Sequence, residues 1–102
     1  MIAAKKNPDG TTVAKLEGAR LDAACAETVK SELKHIVDQG NRHLVVDFEN
    51  VQFMDSSGLG ALVGVLKMMG PGGQVEIINP SSSVLKVMKL TRMNKVFKIH
   101  EN

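Results

Sequence analysis

Apolar residues recur at two different spacings along this chain, and the switches between them divide it into short elements. Ile2 to Lys6 and Thr11 to Glu17 are brief β-type runs. Asn7-Pro8-Asp9-Gly10 lies between them. Pro presets φ and Gly accepts positive φ, so this is a turn, and the two runs predict a hairpin. From 23 to 38 the spacing becomes helical. Ala26, Val29, Leu33, Ile36 and Val37 share one face, and Gly40 stands where a glycine closes a helix. Leu44-Val45-Val46-Asp47-Phe48 predicts a buried strand. Its near-continuous apolar run suits a parallel strand covered on both faces. Leu59, Leu62, Val63, Leu66 and Met69 return to helical steps, and Gly70-Pro71-Gly72-Gly73 ends that helix. Gln74 to Ile78 predicts another strand. Pro80 with Ser81 to Ser83 starts a third helix running to about Leu90, and Val96 to Ile99 a last short strand. The order β-β-α-β-α-β-α-β predicts an α/β layer fold with a mixed sheet. Neither a repeat nor a linker interrupts it, so residues 1–102 are expected to form one domain.

Composition narrows the core and the class of partner. Of the 102 residues, 43% are hydrophobic and 24% charged, which excludes a disordered chain. Only 3% are aromatic, with no Trp and no Tyr, so Val, Leu, Ile, Met and Ala must fill the core. A net charge of +2 is too balanced to announce nucleic acid or an anionic membrane as partner. The apolar runs fall short of a membrane span and the first ten residues lack the apolar stretch of a signal peptide, so a cytoplasmic protein is expected. Cys25 is the only cysteine, which rules out an internal disulfide and a thiolate zinc cage. It is expected in the first helix as a small packing residue. His35, His43 and His100 are scattered, and no metal site is expected of them.

Candidate chemistry collects between the buried strand and the second helix, in Phe53-Met54-Asp55-Ser56-Ser57-Gly58-Leu59-Gly60. In open α/β sheets that junction is where sites form. Asp55, Ser56 or Ser57 can cap the helix by accepting from its free first-turn N–H groups. Gly58 and Gly60 remove bulk and let another molecule approach the backbone. A helix N-terminus tolerates added negative charge, and a phosphate on Ser56 would bring about −1.5 to −2. The string is not a phosphate-cradling loop, which needs Lys-Ser/Thr after its last Gly, nor a Gly-x-Ser-x-Gly nucleophile elbow. By itself, such a string before a helix is most often only a cap and a turn.

The same eight residues resemble the signature of STAS domains, specifically bacterial anti-sigma factor antagonists. The likeness covers nearly the whole chain. Arg20-Leu21-Asp22-Ala23 is similar to the family's short motif before its first helix, and Leu44 to Phe48 to its central strand. Gly72-Gly73 and the segment from Lys89-Leu90-Thr91 to Ile99 also fit. The family's usual Gly-Glu-x-Asp is here Gly18-Ala19-Arg20-Leu21-Asp22, without the Glu and one residue longer. The resemblance implies a mixed sheet of four to five strands with three to four helices packed on it. It implies that Ser56 is a phosphoacceptor, with Asp22, Met54, Asp55, Ser57, Gly58, Leu59 and Gly60 forming the phospho-loop and partner surface. It implies a histidine-kinase-like serine kinase, often itself the anti-sigma factor, as the partner that phosphorylation releases. A PP2C-type phosphatase would restore the complex. ATP would belong to the kinase, leaving this chain without cofactor or catalysis. A regulator of a non-sigma output and a constitutive scaffold remain alternatives. A small enzyme with Ser56 as nucleophile would need a base that the sequence does not offer.

Two further sets of residues have ordinary readings beside functional ones. Lys86, Lys89, Arg92, Lys95 and Lys98 recur every three residues. Such a step drifts around a helix, which favours a solvated surface over a binding strip. No aromatics interleave to stack on bases. Most of Met54, Met68, Met69, Met88 and Met93 are expected in the core. Met54 and one of Met68 and Met69 are expected to be exposed near the site as adaptable contact surface. A monomer is expected.

Overall fold

The Asn7–Gly10 turn closes as the spacing predicts, in a computed structural model that describes residues 1–101. Asn7 N donates to Thr11 O at 2.8 Å and Gly10 sits at φ +94°. Asp9 accepts from Thr11 through both its backbone N–H and its hydroxyl, which holds the Asp9 carboxyl below its usual range. The turn joins β1 (Ile2–Lys6) to β2 (Thr12–Leu16) in antiparallel register, with Ile2 opposite Leu16.

All other pairings are parallel, so helices must carry the chain back between strands. After β2 come β3 (Arg20–Leu21), α1 (Ala26–Asp38), β4 (His43–Asp47), β5 (Phe53–Met54) and α2 (Ser56–Met69). Then follow β6 (Gln74–Ile78), α3 (Ser82–Leu90), a 3₁₀ turn (Met93–Lys95) and β7 (Lys98–His100). Five strands form one sheet in the order β1-β2-β4-β6-β7, and β3 with β5 form a separate two-stranded ribbon. The α/β class and mixed sheet predicted from the pattern are what the chain adopts, with three α-helices among the described residues.

Burial alternates along the central strands. Ala14, Leu16, Leu44, Val46, Val75 and Ile77 lie on one face, at 0–5% exposure. Val29, Leu33 and Ile36 of α1, Leu59, Leu62, Val65 and Met69 of α2, and Val84 and Met88 of α3 pack into the same cluster with them. The opposite face, with Val13, Val45 and Ile78, is only half-buried. That corrects the expectation that the central strand is covered on both faces: Val45 and Asp47 point away from the helices, so β4 is an alternating strand despite its apolar run.

Two polar arrangements tie the sheet to its surroundings. Thr12 and Asn41 are buried but satisfied. Thr12 Oγ1 donates to Asn41 Oδ1 at 2.8 Å, and Asn41 Nδ2 donates to Ile36 O at 2.8 Å, joining β2 to the end of α1. On the half-exposed face Glu76 lies between two histidines. Its Oε1 pairs with His100 Nε2 at 2.6 Å and its Oε2 with His43 Nε2. One carboxylate thus spans β4, β6 and β7. The His100 hydrogen bond, then those of His43 and the charge of Lys98, hold the Glu76 carboxyl below its usual range against partial burial. Two histidines that are distant in sequence meet here. Among the described residues no group of three or more His, Cys, Asp and Glu is arranged to hold a metal ion.

Helix limits differ from the pattern where caps intervene. α1 starts at Ala26 rather than 23, because Asp22 O accepts from Cys25 N and Ala26 N and turns residues 22–25 beforehand. Cys25 therefore precedes the helix, half-buried, with its Sγ 3.2 Å from Arg20 O. Gly40 at φ +95° closes α1, and Gly70 at φ +67° closes α2. The basic series crosses three elements: α3 ends at Leu90, Arg92 turns left-handed at φ 61°, and Lys98 lies in β7. No helix among the described residues is long and apolar enough to cross a membrane.

Candidate functional site

The two-residue strands β3 and β5 build the site by placing two loop segments side by side. Arg20 pairs with Phe53 and Leu21 with Met54, in parallel. The alternation sends Leu21 and Met54 inward, each 1% exposed, and Arg20 and Phe53 outward. Backbone bonds extend the pairing at both ends. Gln52 N donates to Ala19 O at 2.7 Å, and Asp55 N to Leu21 O at 3.3 Å.

Asp55 then starts α2. Its backbone is extended and its Oδ1 accepts from Gly58 N at 3.0 Å, so among the three residues able to cap the helix it is Asp55 that does so. Its Oδ2 accepts from Ala23 N at 3.4 Å, which ties the other loop to the same carboxylate. Ser56 and Ser57 are the first two helical residues. Both are exposed, and neither side chain makes a hydrogen bond among the described residues. The serine hydroxyls are therefore spare: the first-turn donor that a capping side chain takes, Gly58 N, is already held by Asp55.

Gly58 is required for close approach. A Cβ there would collide with the carbonyl oxygen and side chain of Leu21. Gly60 differs: it is exposed, and a Cβ would meet nothing within 4 Å. Beside it a shallow hollow of about 310 Å³ opens between α1 and α2, bordered by Ala23, Ala26, Lys30, Ser57, Gly60 and Ala61.

Asp22 reaches the site from the β3 side. Its Oδ2 accepts from Arg20 Nε at 2.9 Å and its Oδ1 from Ala24 N at 3.1 Å. The Arg20 hydrogen bond is the main reason its carboxyl lies below the usual range. Arg20 also stacks on the Phe53 ring, 4.4 Å from the centroid.

The structure thus brings Asp22, Asp55, Ser56, Ser57 and Gly60 to one surface. Met54 is buried at 1% and cannot be contact surface, because the β5 alternation turns it inward. Leu59, 8% exposed, packs in the core, and Gly58 is buried under Leu21. Met68, at 39%, is the exposed member of its pair, but it lies in the last turn of α2, about 18 Å along the helix from Ser56, so the expectation of a methionine contact beside the site is not met. The surface residues missed by pattern reading are Arg20 and Phe53. A two-residue strand has no periodicity to reveal which of its side chains faces out.

Comparison with known proteins agrees with this geometry. The chain is 27% identical over 95 residues to an anti-sigma F factor antagonist of Paenibacillus polymyxa, covering 91% of this chain and 80% of that one. Its fold is similar to an anti-sigma factor antagonist of Mycobacterium paratuberculosis, with TM-score 0.88, 20% identity and coverage of 100% and 86%. It is also similar to the anti-sigma factor antagonist SpoIIAA in its unphosphorylated form, with TM-score 0.67, 25% identity and coverage of 100% and 89%. The STAS domain model matches residues 2–102, and the chain belongs to the STAS domain family.

Proposed function

We propose that this chain is a protein-binding module of the anti-sigma factor antagonist type, exchanged between partners by phosphorylation of Ser56. The observation that carries the reading is the division of labour at the start of α2. Asp55 holds the cap, while the adjacent Ser56 hydroxyl is exposed and unused by the fold. A kinase can then take this hydroxyl without unpicking the helix. The added charge sits at a helix N-terminus, which accommodates it. Two relatives point the same way: one is named an anti-sigma F factor antagonist, and the other is defined by its unphosphorylated form.

The partner in this reading is a histidine-kinase-like serine kinase that also acts as an anti-sigma factor, with a PP2C-type phosphatase resetting Ser56. ATP and the chemistry belong to the kinase; this chain is substrate and ligand. Docking uses the surface around Ser56, Ser57, Asp22 and Gly60, where the open approach at Gly60 lets the partner reach the helix. The test is capture from the native cell lysate with three baits: wild type, Ser56→Ala, and protein carrying phosphoserine at position 56. A kinase-like ATPase retained by the first two and lost by the third is the expected result. Equal retention by all three would replace the switch with a constitutive scaffold.

A further inference from the structure

Arg20 is the one cation in the two segments that build the site, residues 18–25 and 51–60, where Asp22 and Asp55 supply the negative charge. Its guanidinium is fixed at two points. It stacks on Phe53, which is itself 37% exposed, with its central carbon 4.4 Å from the ring centroid. Its Nε donates to Asp22 Oδ2 at 2.9 Å. Asp22 Oδ1 is taken by Ala24 N, so the ion pair with Asp22 is single-toothed.

Both contacts leave the same end of the side chain unspent. The two Nη groups carry four N–H donors, and none has a hydrogen-bond partner among the described residues. The side chain as a whole is 63% exposed. A guanidinium held by its face and its Nε has already given up much of the rotamer freedom that binding would cost. What remains is a planar fork, the geometry that matches a phosphate or carboxylate.

The ribbon runs the Arg20 segment alongside the approach to α2. Arg20 is paired with Phe53, three residues before Ser56. The Asp55 N–Leu21 O bond and the Ala23 N–Asp55 Oδ2 bond hold the two segments together at that point. A phosphate on Ser56 would arrive on a rim that already carries Asp22 and Asp55; Arg20 is the side-chain cation of these two segments, and Lys30 of α1 borders the hollow on the Ser57 side.

We propose that Arg20 takes the phosphate of phosphorylated Ser56 through its Nη fork. This rests on the reading of Ser56 as phosphoacceptor. Phosphorylation then changes the docking face twice over: an anion appears at position 56, and the Arg20 cation that was offered to a partner is spent on it.

The test places phosphoserine at position 56 during translation, so that no kinase is needed. The second ionisation of the phosphate is followed by phosphorus NMR in wild type, Arg20→Gln, Arg20→Lys and Phe53→Leu backgrounds at fixed ionic strength. Arg20→Gln is expected to raise that ionisation by about half a pH unit, the size appropriate to an exposed charge-assisted contact. Phe53→Leu, which keeps the charge but frees the fork, is expected to show part of the rise. Superimposable titrations of wild type and Arg20→Gln would overturn the proposal. So would Arg20→Lys matching wild type, since a point charge would then do as well as a fork. Mass spectrometry of the protein from its own cell separately reads whether Ser56 is phosphorylated. An unmodified Ser56 there would remove the functional reading while leaving the phosphorus titration to be judged alone.

Discussion

Two carboxylates bridge separate parts of this molecule, and they do so with different kinds of partner. Asp55 accepts from two backbone N–H groups, Ala23 N and Gly58 N, joining the loop before α1 to the start of α2. Glu76 accepts from two imidazoles, His43 and His100, joining β4, β6 and β7 across the half-exposed face of the sheet. The donors of Asp55 are main-chain groups, placed by the local course of two loops. Those of Glu76 are side-chain rings, placed by strand order. The loop before α2 is thus fastened through the backbone, and the half-exposed face of the sheet through side chains.

The largest effect expected from breaking the Asp55 region comes from its steric foundation. Gly58→Val drives a branched side chain into the Leu21 carbonyl and should cost about 3 kcal/mol or more, read from urea unfolding. A cost below about 1 kcal/mol would mean that α2 and β3 can separate cheaply. Next comes the carboxylate itself. Asp55→Ala removes the cap and the link to Ala23 and should cost about 1–2 kcal/mol. Faster amide exchange at both Gly58 and Ala23 should accompany it; exchange at Gly58 alone would show that the Ala23 link carries no weight.

Glu76→Gln should cost about 1 kcal/mol near neutral pH. The sign of its pH dependence follows from the depressed carboxyl. A group whose pKa is lower folded than unfolded contributes fully above the unfolded value and loses that contribution as pH falls through the folded one. The gap between wild type and Glu76→Gln should therefore close on acidification through the carboxylate range. Parallel unfolding curves at about pH 6 and about pH 3 would discard the carboxylate as its source. The smallest effect belongs to Ser56→Ala. With the cap on Asp55, it should shift stability by no more than about 0.5 kcal/mol while abolishing phosphate incorporation. A loss as large as that of Asp55→Ala would return the cap to the serine.

The sequence made much of this legible, for reasons that also explain the rest. The hairpin and helix ends announced themselves through Asn7–Gly10, Gly40 and Gly70, residues whose backbone requirements are local. Asp55 was visible as one of three possible caps, since spacing alone does not choose among neighbouring acceptors. Met54 was misplaced because its orientation is set by pairing with a segment more than thirty residues earlier. The ribbon of β3 and β5 is too short for periodicity, so Arg20 and Phe53 gave no sign of standing together. The meeting of His43 with His100 on Glu76 depends on strand order, which no local pattern encodes. What the resemblance to STAS domains contributed was the role proposed for Ser56, for which cap chemistry by itself gives no warrant.

The exposed Ser56 hydroxyl, left idle by the fold, has a consequence for wear. Under the proposed switch, a mark written on this idle atom and later erased would leave the scaffold as it was, with no refolding step in either direction. The number of on–off cycles one molecule could serve would then be limited by its partners and its lifetime, because reading and writing would take place on a surface that its own architecture does not depend on.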